Sequence, residues 1–172
     1  IRHAILNALD IYYTFNNNTF VYQHALNNDN SRMVQALALE LMGKIDRVWS
    51  MEKAEELQKL NAPVLNIGIG SIYAKYANAP FESFFLDQFK SSKIAPQYFN
   101  QYAVFASNQQ IETAQQCLET LLRLAENKPQ YTPLVIRALK TIKAAIETDK
   151  PHLMLLQPII ERDIERLESF PQ

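Results

Sequence analysis

Glycine is scarce in this chain: Gly43, Gly68 and Gly70 are the only three in 172 residues. Hairpin turns and phosphate-cradling loops draw on backbone positions with positive φ, which glycine supplies without steric cost. Three glycines therefore argue against a hairpin-rich β fold and for helices. Cysteine is scarcer still, with Cys117 alone, so neither an intrachain disulfide nor a thiolate metal cluster can form. No apolar run approaches the roughly 18–20 residues that a helical membrane span requires. An excess of one charge is also missing: 17 Lys and Arg face 18 Asp and Glu, a formal net charge of −1. That balance argues against nucleic acid or an anionic membrane held by bulk electrostatics. The chain opens Ile1-Arg2-His3-Ala4, with neither Met nor a signal-peptide pattern, and is expected to be a piece of a larger protein.

What is present is apolar periodicity. Hydrophobic residues make up 48% of the chain, and a chain of this length buries roughly 70% of its unfolded surface, enough for a core without staples. Ile5, Ala8, Leu9 and Tyr12 predict a first helical stripe, stopped by Asn16-Asn17-Asn18. Thr19 is expected to cap a short helix packed through Phe20, Val21, His24 and Ala25. Val34, Leu37, Leu41, Ile45 and Val48 follow +3, +4, +4, +3 spacing and predict one helix from Ser31 to about Trp49. Arg32, Gln35, Lys44, Asp46 and Arg47 lie off that stripe. Ser50 then reads as the cap of a charged helix over 51–60 whose buried edge is Ala54, Leu57 and Leu60.

Prolines punctuate the rest. Pro63 opens a segment to Tyr76, Pro80 stands at a first helical position before Phe81–Phe89, and Pro96 starts a helix bearing Tyr98, Phe99, Tyr102 and Phe105. Ser107 and Gln110 match a capping box ahead of Ile111, Ala114, Leu118, Leu121 and Ala125. Thr132-Pro133 opens a helix lined by Val135, Ala138, Leu139, Ile142, Ala145 and Ile146. Pro158 separates a short turn from a last helix to about Phe170, packed through Ile160, Ile164 and Leu167. Ala36-Leu37, Cys117-Leu118 and Ala138-Leu139 each put a small residue before Leu, and the first two pairs are spaced by about two repeats of ~40 residues. The expected fold is thus all-α over 1–172, a right-handed α-α superhelix of HEAT- or armadillo-like hairpins.

Candidate chemistry is thin. Val64-Leu65-Asn66-Ile67-Gly68-Ile69-Gly70-Ser71 has the look of a strand entering a Gly-rich turn, but the third small residue that lets a helix N-terminus reach a ligand is missing. A helix whose glycines admit a close neighbour is the competing reading. Cys117 and Arg123 have the spacing of a phosphatase loop, yet Leu118 to Leu122 extends a helix whose N–H groups are already bonded. Cys117 is read as a small core residue. His3, His24 and His152 make no His-Glu-x-x-His pair and read as helix-face histidines. Glu161, Asp163, Glu165 and Glu168 alternate with Arg162 and Arg166 as a solvated face, with opposite-charge pairs expected for Arg162–Glu165 and Asp163–Arg166. The aromatics (Tyr12, Tyr13, Phe15, Phe20, Tyr22, Tyr73, Tyr76, Phe81, Phe84, Phe85, Phe89, Tyr98, Phe99, Tyr102 and Phe105) read as packing between helices, or else as a groove that stacks a ligand. No catalytic, cofactor or metal residue is assigned.

One resemblance adds to this. Ile72-Tyr73-Ala74-Lys75-Tyr76, Phe84-Phe85, Phe89, Tyr98, Tyr102-Ala103-Val104-Phe105, Leu124-Ala125-Glu126-Asn127 and Arg137-Ala138-Leu139 resemble the C-terminal helical region of M1-family zinc aminopeptidases, in the bacterial aminopeptidase N-like branch. Ser31 to Asp46 looks like the repeat helix before it. The family pattern has Gly after the Tyr at position 76, where this chain has Ala77. The resemblance implies a non-catalytic domain that covers the catalytic cleft and restricts peptide entry. Zinc and its ligands would then belong to an upstream domain, which would be the partner along with peptide substrates. Two other readings stay open: a free-standing HEAT-like interaction scaffold, and a small enzyme centred on Asn66–Ser71.

Overall fold

A computed structural model of the chain describes residues 1–12 and 18–169. Among the described residues there are ten α-helices and no strand, with short 3₁₀ turns at Ala79–Phe81, Pro129–Tyr131 and Pro151–Leu156. The all-α expectation holds. The chain divides into two compact units, Ile1–Tyr76 and Ala77–Gln172.

The first unit holds α1 (Arg2–Tyr12), α2 (Thr19–Asn28), α3 (Arg32–Ile45), α4 (Arg47–Gln58) and α5 (Pro63–Tyr76). The other four helices all pack on α3 or its neighbours, because α3 buries almost every side: Val34, Ala36, Ala38, Leu39, Leu41 and Met42 are all in the core. Fully burying a Leu or Met side chain contributes roughly 1.5–3 kcal/mol. The approach of α5 to α3 depends on glycine. A Cβ on Gly68 would lie 2.7 Å from the carbonyl O of Ala36 and 2.8 Å from its Cα, so only hydrogen fits there. Across the same interface the Tyr76 hydroxyl donates to the Gly43 carbonyl (2.8 Å). The Arg47 guanidinium lies 5.4 Å from the centre of the Tyr76 ring and donates to the Tyr76 carbonyl at 3.2 Å.

Several expectations for this unit are corrected. The helix from Ser31 does not reach Trp49. Asp46 breaks it with extended dihedrals (φ −135°, ψ 95°), and its carboxylate accepts from the Trp49 N–H at 3.0 Å, capping α4. Ser50 is consequently a buried mid-helix residue rather than a cap, while Val48 and Leu60 are exposed. In α1 the buried residue is Leu6, with Ile5 and Ala8 outside. In α2 the core side chains are Tyr22 and Leu26, and Phe20 is 76% exposed. Asn18, not Thr19, precedes the first turn of α2. Gln35 is buried, its amide donating to the Leu26 carbonyl (2.9 Å). The Tyr12 side chain, Tyr13, Phe15, Asn16, Asn17 and Phe170 lie outside the described residues.

The second unit holds α6 (Glu82–Phe89), α7 (Gln97–Ser107), α8 (Ile111–Asn127), α9 (Thr132–Thr148) and α10 (Gln157–Glu168). Its centre is aromatic. Phe85 packs 5.5 Å from Tyr102 and 5.3 Å from Phe105, and Phe89 lies 5.5 Å from Phe99 and 5.2 Å from Tyr102, between ring centres. Such pairs add roughly 0.5–1.5 kcal/mol beyond their buried area. Around them α8, α9 and α10 bury most of the predicted stripes: Ala114, Leu118, Leu121 and Ala125; Val135, Ala138, Leu139, Ile142 and Ile146; Ile160, Ile164 and Leu167; Ile111 and Ala145 are only half-buried.

The capping box is not formed. Ser107 closes α7, with its hydroxyl bonded back to the Ala103 carbonyl (2.8 Å), and Gln110 precedes α8 without a side-chain cap bond. The loop between them is held by Gln109, whose amide donates to the carbonyls of Ala77 and Phe105, both at 3.1 Å. Ala77 needs no left-handed backbone, since Asn61 alone has positive φ among the described residues. No helix among them is long and apolar enough to cross a membrane.

Candidate functional site

The glycine segment carries no ligand cradle. Residues 64–71 lie inside α5, where Gly68 admits α3. The close-approach reading of that motif is the correct one, and a strand through Val64–Ile69 is ruled out. Cys117 and Arg123 part company on α8. The thiol is fully buried, whereas Arg123 is exposed and paired with Glu119 at 3.3 Å. Burial, with Glu82 adding to it, pushes the Cys117 thiol up to about 12, so it is protonated at neutral pH.

The three histidines stand apart, each with a local partner: His3 with Asn7 (3.3 Å), His24 with Asn28 (3.3 Å) and His152 with the Gln109 carbonyl (3.1 Å). No group of three His, Cys, Asp or Glu side chains suited to a metal occurs among the described residues.

The acidic row on α10 is solvated except at Asp163, which is buried and held by Arg162 (3.3 Å) and more loosely by Arg166 (3.9 Å). Glu161 and Glu168 instead reach α9, pairing with Lys143 (3.0 Å) and Lys140 (2.7 Å). Phe84, Phe85, Phe89, Tyr98, Phe99, Tyr102 and Phe105 are all buried, so they form a core and not a stacking groove.

Two polar clusters escaped sequence reasoning. Glu82, at the start of α6, accepts from the Tyr102 hydroxyl (2.5 Å) and lies 3.7 Å from Cys117 Sγ. Burial, helped by Cys117 and Glu82, raises the Tyr102 phenol far above the usual tyrosine range. Burial alone raises Tyr98 to about 12. With phenol and thiol both held protonated at neutral pH, neither Tyr102 nor Cys117 is an activated nucleophile. The second cluster is Glu40, which accepts from Ser71 at 2.9 Å between α3 and α5. Desolvation raises its carboxyl pKa, against the opposing pull of Ser71, Lys75, Lys44 and His3. Neither was legible, because each joins residues from separate helices.

Two of the recessed surfaces among the described residues are apolar-walled grooves. One, of about 360 Å³, lies among α1, α2 and α3 with Ile5, Leu6, Val21 and Val34 in its wall, and the Arg2–Asp29 ion pair (3.2 Å) among the groups lining it. The other, of about 380 Å³, lies where α7 and α9 begin. Its apolar surface is Pro96 and Leu134, over the buried Phe99 and Ala138, and its polar groups are Gln97, Asn100 and Arg137. Arg137 is one of the residues that carry the aminopeptidase resemblance. No protein-family model, curated protein or solved structure matches the chain.

Proposed function

We propose that this chain is a non-catalytic, HEAT-like helical domain of a zinc aminopeptidase-like protein, shaping peptide access to a catalytic site held elsewhere in that protein. The supporting observation is what the resemblance residues do: Tyr73, Phe84, Phe85, Phe89, Tyr98, Tyr102 and Phe105 are framework side chains, buried between helices. A signature made of packing residues suits a domain whose contribution is shape rather than chemistry. Serial packing of α7, α8, α9 and α10 agrees with a stack of helical hairpins. Zinc and the general base would lie in the upstream catalytic domain, and peptides would meet this domain as passing substrates.

The test is the full-length reading frame, followed by assay of the full protein. The reading predicts an upstream His-Glu-x-x-His, zinc-dependent release of N-terminal residues, and a peptide-length preference that changes when side chains of this domain are altered. A frame without that motif would sink it. The second reading, a free-standing interaction scaffold, is favoured by one feature, the groove at Arg137.

A further inference from the structure

We propose that the groove between the first turn of α7 and the first two turns of α9 binds an acidic, leucine-bearing polypeptide segment, its carboxylate on Arg137 and its aliphatic side chain against Pro96 and Leu134. The groove differs from its surroundings in charge. Elsewhere in the second unit the cations are neutralised: Lys90 by Asp87, Arg123 by Glu119, Lys140 by Glu168, Lys143 by Glu161, Lys150 by Asp149, Arg162 by Asp163 and Arg166 by Glu126. Lys128 donates to the carbonyls of Phe89 and Ser91.

Arg137 and Lys93 are the two side-chain cations of this unit without such a partner among the described residues. Of the two, Arg137 lines the groove, and Lys93 lies outside its lining, in the loop three residues before Pro96. That loop is pinned by Tyr131, whose hydroxyl oxygen accepts from the Ile94 N–H at 2.9 Å. No acidic residue lines the groove. α7 begins at it, with Pro96 and Gln97 in the lining, so that helix's dipole adds to the positive potential.

A planar guanidinium with five donors beside an aliphatic wall fits a carboxylate next to an apolar side chain, and Gln97 and Asn100 are placed to hydrogen-bond a peptide backbone. An open groove between helices suits the i, i+4 side chains of an amphipathic segment. The groove among α1, α2 and α3 carries no such proposal, because its Arg2 is already neutralised by Asp29.

The inference does not depend on a peptidase domain, so its test is separate from the one above. The probe is a short fluorescein-labelled peptide of leucine and glutamate, with a leucine–glutamine counterpart, read by fluorescence polarisation and by amide shifts of the 172-residue chain. Shifts are expected at 97–100 and 134–138, with weaker binding of the glutamine peptide. Arg137→Ala should weaken binding about tenfold, the loss expected for one charge-assisted bidentate contact. Arg137→Lys should lose less, and Arg123→Ala should change nothing. Equal affinity for the two peptides, shifts elsewhere, unchanged binding by Arg137→Ala, or no binding of either peptide would overturn the assignment.

Discussion

The two units of this chain solve the same packing problem with opposite materials. The first brings α3 and α5 together by removing side chains, through Gly68 over Ala36 and Gly43 beneath Ile72 and Tyr76. The second fills its centre with rings, from Phe84 and Phe85 on α6 to Phe99, Tyr102 and Phe105 on α7. A glycine contact fails by overfilling and an aromatic core fails by emptying, so the two units should answer opposite kinds of substitution.

The largest effect is expected in the aromatic unit. Phe85→Ala removes a fully buried ring touching Tyr102 and Phe105 and should cost about 3–5 kcal/mol in urea unfolding. A loss below about 1 kcal/mol would mean the rings are not the core. In the glycine unit the sharper experiment is a pair. Gly68→Ala puts a methyl against backbone atoms of Ala36 that cannot swing away, and should destabilise by about 1–3 kcal/mol despite alanine's better helix propensity. Gly43→Ala meets chiefly the end of the Ile72 side chain, which can rotate, and should be near neutral because helix propensity offsets it by up to ~1 kcal/mol. Equal outcomes for the two would break the comparison.

Smaller effects sharpen it. Folding raises the Glu40 carboxyl above its ordinary 4.5, so the folded state binds more protons than the unfolded chain in the window just above pH 4.5. Stability therefore falls as pH rises through that window and levels off above the folded pKa. Glu40→Gln, which keeps an acceptor for Ser71, should flatten this slope in pH-dependent unfolding. A slope unchanged by the substitution would show that Glu40 is not its source. Arg123→Ala, on an exposed i,i+4 pair with Glu119, should change stability by less than about 0.5 kcal/mol.

Legibility divided along the same line. The stripes of α8, α9 and α10 were readable because each helix has one apolar face opposite a polar one, and proline marks the starts of α9 and α10. The first unit was harder. The +3, +4 spacing from Val34 to Val48 runs straight across Asp46, so the pattern alone hid a break that the Asp46 cap makes. Ile5, Phe20 and Val21 sit on the exposed sides of short helices that have apolar residues all round, and no stripe identifies their core face. The acidic row of α10 hid the buried Asp163 for a related reason, since alternating charge signals a wet surface whichever single member turns inward. Candidate sites were the least legible. Glu82 meets Tyr102 and Cys117, and Arg137 and Asn100 line one groove, only because three-dimensional packing joins separate helices. What local pattern did reveal was chemistry that the helices suppress: residues 64–71 are continuous helix, and Cys117 faces inward.

That suppression is the central claim, and the thiol of Cys117 tests it most directly. The folded chain should fail to react with a chromogenic disulfide reagent at pH 8, because the thiol is buried and held up to about 12. Full, rapid labelling should follow only in denaturant. Rapid stoichiometric labelling of the folded chain would mean an accessible, ionised cysteine, and would contradict the placement of Cys117 inside the helical core.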